Sequence, residues 1–133
     1  MQGTKVIPGT SGENYTEGVD GLADRCKKYY EGKARFAKWR SVLKIGQGCP
    51  TELAIERNAE DLARYAALCQ ASRIVPIVEP EILMDGDHDL NTSIRVAEQV
   101  LSAVFRVGRH AALDTDQIGR NWYNTASFWR AFC

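Results

Sequence analysis

The 133-residue chain has no charge imbalance: seventeen Lys and Arg are matched by seventeen Asp and Glu. A nucleic-acid or membrane-surface partner calls for a basic excess or stripe, so no nucleic acid and no membrane is expected as a partner. No apolar run approaches the roughly 18 residues of a membrane-crossing helix. The start, "MQGTKVIPGTSGE", lacks the charged-then-apolar order of a secretory signal. Cys26, Cys49, Cys69 and Cys133 form no CxxC pair and read as free thiols in a reducing compartment, with no structural zinc and no cofactor. What remains is one domain's length of chain, enough to bury about two-thirds of its unfolded surface.

Residues 1–17 are rich in Gly, Thr and Ser and read as loop. Val19, Leu22, Cys26 and Tyr29 (or Tyr30) recur at helical steps until Gly32, which predicts a short amphipathic helix. Phe36 to Leu43 alternates as a strand. After "GQGCP", Pro50 suits the first turn of a second helix. Ile55, Ala59, Leu62, Ala66 and Cys69 make its apolar stripe, and Glu52, Glu56 and Glu60 fall on a solvated flank. Ile74 to Val78 is a β-branched run that fits a strand buried on both faces, although Pro76 removes a ladder donor and argues against a central position. Leu90 to Phe105 reads as a helix with Ile94, Ala97, Leu101 and Val104 on one face. Each strand is followed by a long helix, so the strands are expected as parallel neighbours joined by a right-handed crossover. Two strands make no stable sheet core alone, so the segment reads as part of a larger α/β fold.

The informative feature is charge within the strands. Alternation puts Lys38 and Arg40 on one face with Phe36 and Val42, and Trp39 and Leu43 on the other. In the next strand Glu79 and Glu81 share a face with Val75 and Ile77. The uncharged faces are the ones that can pack under helices. Adjacent strands lie about 4.8 Å apart, so two cations and two carboxylates can meet. One reading is an ion-pair ladder that only fills space. The other is a site in which cations hold an anionic substrate and a carboxylate moves protons. Ion pairs are poor sources of stability when buried, which brings the second reading level with the first and leaves both open.

Other motifs carry less. "DGDHDLN" places acids at 85, 87 and 89 like a calcium loop, but the glycine and the twelfth-position glutamate are missing, so Asp87 and Asp89 are expected at a loop or helix start. His88 reads as a loop residue. "GTSG" at 9–12 has no strand before it and is no phosphate cradle.

The blocks "GVDGLADRCKKYYEGKARFAKWRSVLKIG", "LARYAALCQ" and "IVPIVEPEILMDGDHDL" resemble the class I fructose-1,6-bisphosphate aldolases, over Gly9 to Arg106. The resemblance implies a (β/α)8 TIM barrel, of which residues 1–106 supply about strands four and five with their helices. It implies a cytoplasmic, usually homotetrameric glycolytic lyase that needs no metal. Such an enzyme cleaves fructose 1,6-bisphosphate to dihydroxyacetone phosphate and glyceraldehyde 3-phosphate through a lysine Schiff base. It assigns Lys38 to contacting the substrate and the acid cluster, Arg40 to helping hold a phosphate end, Glu79 to acid/base catalysis, and Glu81 to positioning Lys38.

After Arg106 the resemblance stops, and residues 107–133 form a divergent tail. The family continues into a strand ending Leu-Leu-Lys-Pro, whose lysine forms the Schiff base. Counting on without gaps puts that lysine at Asn121, and the segment from Val107 onward has no lysine. The chain is therefore expected to be a fragment inactive alone. Two alternatives stay open: a non-catalytic piece that docks on intact aldolase subunits, and a different barrel lyase using the same acids.

Overall fold

The computed structural model describes residues 2–111, so most of the expected divergent tail lies outside the described residues. The first departure from expectation is at the start. Residues 1–17 are not loop throughout: β1 (Thr4–Val6) and β2 (Asn14–Thr16) pair antiparallel, with Lys5 opposite Tyr15. "GTSG" belongs to the turn between them. Thr10 Oγ1 donates to the Ile7 carbonyl at 2.8 Å and accepts from the Glu13 N–H at 3.1 Å. Strands of three residues are too short for a period-2 pattern to stand out.

The rest runs α1 (Leu22–Glu31), β3 (Phe36–Leu43), α2 (Glu52–Ala71), β4 (Val75–Ile82) and α3 (Leu90–His110). As expected, β3 and β4 are parallel neighbours, in register from Phe36 opposite Val75 to Leu43 opposite Ile82. Trp39, Leu43, Val78 and Ile82 bury the uncharged face against Leu62, Tyr65, Ala66 and Cys69 of α2. α2 is the middle of the helix layer, with α1 on one side and α3 on the other.

Both helices that feed the strands end in the same way. After α1, the Ala34 N–H donates to the Tyr29 carbonyl at 2.9 Å and the Lys33 N–H to Tyr30 at 3.0 Å; after α2, Ile74 donates to Cys69 and Arg73 to Gln70, each at 2.9 Å. These are Schellman closures. Their left-handed residues are Lys33 (φ 70°) and Arg73 (φ 61°), not the expected stop, Gly32, whose φ is −74°.

Two further expectations are corrected. Pro50 lies outside α2: Thr51 is the N-cap, accepting from the Ala54 N–H at 3.1 Å, and Pro50 precedes it after a cis peptide bond. The buried stripe of α3 is Ser93, Val96, Val100, Ala103, Val104 and Gly108; of the four residues expected there only Val104 is fully buried, and Ile94 is 48 % exposed. Pro76 sits in the pairing strand without breaking it. The N–H of Val75 donates to Arg35 and that of Leu83 to Leu43, so odd-numbered residues of β4 face β3, and Pro76 and Pro80 point their nitrogens the other way.

A left-handed backbone costs a side-chain-bearing residue about 1–2 kcal/mol, offset by the greater freedom glycine has in the unfolded chain. Lys33→Gly is therefore expected to raise the free energy of unfolding by about 1 kcal/mol. A urea titration checks this, and an unchanged or lower midpoint would contradict it.

Candidate functional site

The four charges predicted from alternation do come together on the face of the β3–β4 ladder turned away from the helices. Backbone register puts Lys38 opposite Ile77, Arg40 opposite Glu79 and Val42 opposite Glu81. The side chains pair on the diagonal. Lys38 Nζ lies 3.0 Å from Glu79 Oε2, and Arg40 Nε binds Glu81 Oε2. Each cation thus reaches two positions forward along the neighbouring strand, within the span of long side chains on a sheet face. The Lys38–Glu79 contact is an ion pair without the angles of a directed hydrogen bond. The Arg40–Glu81 contact is a directed one.

This differs in one respect from the expected roles. Glu79, not Glu81, holds Lys38 directly, while Glu81 is engaged by Arg40 and feels Lys38 only through the field. Glu79 is the more sheltered carboxylate, with its side chain 21 % exposed against 36 % for Glu81. Lys38 remains 54 % and Arg40 44 % exposed, so both cations are open to an anion from solvent. The hydrogen bond from Arg40 holds the Glu81 carboxyl below the ordinary glutamate range, with help from the Arg40 and Lys38 charges against a burial effect. The same bond raises the Arg40 guanidinium further above neutrality. Both groups of that pair are fixed in their charged forms near neutral pH.

The backbone beneath the site is fastened from both sides. Below it, Trp39 stacks on Tyr65 with ring centroids 5.2 Å apart. At the edge, Thr16 Oγ1 of β2 donates to the Arg40 carbonyl at 2.7 Å. The second tie had no signal in the sequence, since its partners are 24 residues apart and neither belongs to a motif.

The loop after β4 divides the acidic run. Asp89 caps α3, accepting from the Thr92 N–H at 2.8 Å, and that bond keeps its carboxyl low. His88 is a loop residue as expected, and among the described residues no contact joins it to the four charges. Lys5 pairs with Glu17 at 2.7 Å on the hairpin, away from the ladder. Cys26, Cys49 and Cys69 are free thiols, and Cys133 lies outside the described residues. Cys26 and Cys69 meet in the core with their sulfurs 3.9 Å apart, and burial pushes the Cys69 thiol up to about 12, which leaves it unreactive.

The sign of the acid dependence follows from Glu81. A carboxyl whose folded value is lowered stabilises the fold fully above its ordinary value, here 4.5, and that contribution is lost as pH falls through the folded value. Urea midpoints of the wild type should fall between about pH 5 and pH 2 more steeply than those of Glu81→Gln. Parallel curves would show that the Arg40–Glu81 pair contributes nothing to folding.

Comparison with known proteins agrees with the blocks that carry the sequence resemblance. The family model "Glycolytic: Fructose-bisphosphate aldolase class-I" matches residues 1–115. A fructose-bisphosphate aldolase of Dictyostelium discoideum is 62 % identical over 107 residues, which is 79 % of this chain and 30 % of that protein. Fructose-bisphosphate aldolase 4, cytosolic, of Arabidopsis thaliana is 60 % identical over 105 residues, 79 % of this chain and 27 % of that protein. Among solved structures, the Plasmodium falciparum fructose-bisphosphate aldolase, in a ternary complex with TRAP and a small-molecule inhibitor, superposes with a TM-score of 0.85 at 49 % identity, covering 87 % of this chain and 34 % of that one. The chain spans about 30 % of the length of the curated relatives it matches.

Proposed function

The chain belongs to the class I fructose-bisphosphate aldolase family, and on that premise we propose that it is a segment of a Schiff-base aldolase acting on fructose 1,6-bisphosphate and the two triose phosphates. The observation that carries this reading is the paired set Lys38–Glu79 and Arg40–Glu81 on one open sheet face. Arg40 keeps guanidinium donors free after binding Glu81, and these suit a phosphate end of the substrate. Lys38, 3.0 Å from Glu79, supplies a second positive charge at the sugar oxygens. Glu79, sheltered and next to a cation, is the carboxylate suited to move protons at the carbinol. Glu81 keeps Arg40 in place and adds its field to Lys38. Carbon–carbon cleavage in this chemistry draws electrons into an iminium formed on a lysine.

That lysine is the part this chain does not supply, because gap-free counting puts Asn121 at its position. We propose that the chain diverges from the family in its C-terminal segment, past the family match that ends at residue 115, and that the 133-residue chain forms no Schiff base. Borohydride reduction in the presence of dihydroxyacetone phosphate should leave its mass unchanged, and a stable adduct would overturn the proposal. The cytosolic names of relatives support a cytosolic setting for the parent enzyme.

A second reading is favoured by a specific feature. Among the described residues the β3–β4 sheet has two strands, and Phe36, on its charged face, is 68 % exposed. Such a piece suits docking on an intact aldolase subunit. Co-purification with a full-length aldolase would support it, and a lone monomer in the presence of that partner would exclude it.

A further inference from the structure

The face of the β3–β4 sheet turned away from the helices has a charge order of its own. Both cations, Lys38 and Arg40, stand on β3, and both acids, Glu79 and Glu81, on β4. The face is neutral as a whole but divided lengthwise into a basic row and an acidic row. Register sets the levels: Phe36 with Val75, Lys38 with Ile77, Arg40 with Glu79, and Val42 with Glu81. Phe36, Val75 and Ile77 make the early part of the face apolar. Phe36, Lys38 and Arg40 are exposed, and Val42, Val75, Ile77 and Glu81 are half-buried.

Such a face is complementary to itself. Two stacked sheets lie about 10 Å apart. A two-fold axis that runs along the strands, midway between the sheets, lays β3 of each copy over β4 of the other. All levels are kept, because rotation about that axis moves nothing along it. The basic row of each copy then meets the acidic row of the other, and Phe36 meets the partner's Val75. An axis across the strands would lay basic row on basic row, so charge selects the first arrangement.

We propose that this face is the interface of a homodimer, with a second copy of this chain as its partner. Phe36, an exposed aromatic at one end, is the apolar anchor. Each ion already has a partner within its own chain, so closing the interface strands no unpaired charge. Arg40 keeps guanidinium donors beyond the one that binds Glu81, and these reach the acids of the other copy. The interface is isologous and uses the face once, so association stops at two copies. Two strands of eight residues make a face about 26 Å long and about 10 Å wide. That is at the low end for specific interfaces, and the dimer is a weak, reversible one. The inference rests on the charge order and not on the aldolase reading.

The test is sedimentation equilibrium of the full 133-residue chain over a wide concentration range. The mass should rise from one copy toward two and no further, and added salt should move the transition to higher concentration. Lys38→Glu with Arg40→Glu gives an all-acid face, and Glu79→Lys with Glu81→Lys an all-basic one. Each variant alone should associate at least about tenfold more weakly than the wild type, and their equal mixture should form the mixed dimer. If circular dichroism shows a variant unfolded, wild-type chains decide. A carbodiimide joins an ammonium to a carboxylate. In a mixture of heavy-nitrogen-labelled and unlabelled copies, cross-links from Lys38 to Glu79 or Glu81 should carry both labels. Wild-type chain that stays monomeric throughout would overturn the proposal. So would an all-acid variant that dimerises like the wild type, or mixed-label cross-links that leave out Lys38. A chain that stays single by itself but binds an intact aldolase would also overturn it, while leaving the docking reading in place.

Discussion

The parallel, in-register pairing of β3 with β4 is the constraint on which the rest depends. Side chains alternate along both strands, so the register decides at once which residues go under α2 and which face away. A slip of one residue in β3 would turn Trp39 and Leu43 out and drive Lys38 and Arg40 toward Leu62 and Tyr65. Two matched turns hold the register where the chain runs into the strands. α1 and α2 each close with a left-handed residue, Lys33 and Arg73, delivering the chain into β3 and β4 in the same way. Arg35, just after the first closure, and Arg73, within the second, both stack on the Tyr30 ring, so the two closures are also joined to each other.

That geometry explains why the charged groups are tolerated. Their backbones are firmly held by the core, but the groups themselves stay partly solvated, so the large desolvation cost of a fully buried ion pair does not arise. Partial exposure also makes the pairs weak as stabilisers. The arrangement therefore suits exchange of partners: Arg40 and Lys38 can meet an incoming anion without leaving an unpaired charge in an apolar interior. The asymmetry between the two carboxylates has the same origin. Glu81 is committed to a directed bond with Arg40, whereas Glu79 has only an undirected contact with Lys38 in a more sheltered place.

The central features were legible because they are periodic. Phe36 to Leu43 alternates cleanly, and its faces, the parallel partner and the meeting of four charges all follow from that alternation and from the helix between the strands. The diagonal pairing was not legible, because it depends on how far each side chain leans along its strand. The hairpin was missed because three-residue strands carry too little pattern, and the helix closures because Lys33 and Arg73 do the work usually marked by glycine. On α3 the apolar period alone misplaces the stripe: Ile94 is 48 % exposed, and the buried face is built from Ser93, Val96, Val100 and Ala103, half of them residues that hydropathy does not single out. Cys26 and Cys69, 43 residues apart, became neighbours only through the packing of α1 on α2.

Pro76 and Pro80 show how a residue that argues against a strand can serve one. Both occupy even positions in β4, where the backbone nitrogen points away from β3, so the ladder loses no donor. On the opposite edge, the two prolines leave only Val78 and Ile82 among the even residues of β4 with an N–H to offer. An edge with half its donors removed is a poor template for indiscriminate pairing. It still presents every carbonyl, so a neighbouring strand that supplies its own N–H groups can pair there, and the spacing of the two remaining donors restricts the register in which it can do so. The same strand thus sets the faces of the charged site through its odd residues and limits what can extend the sheet through its even ones.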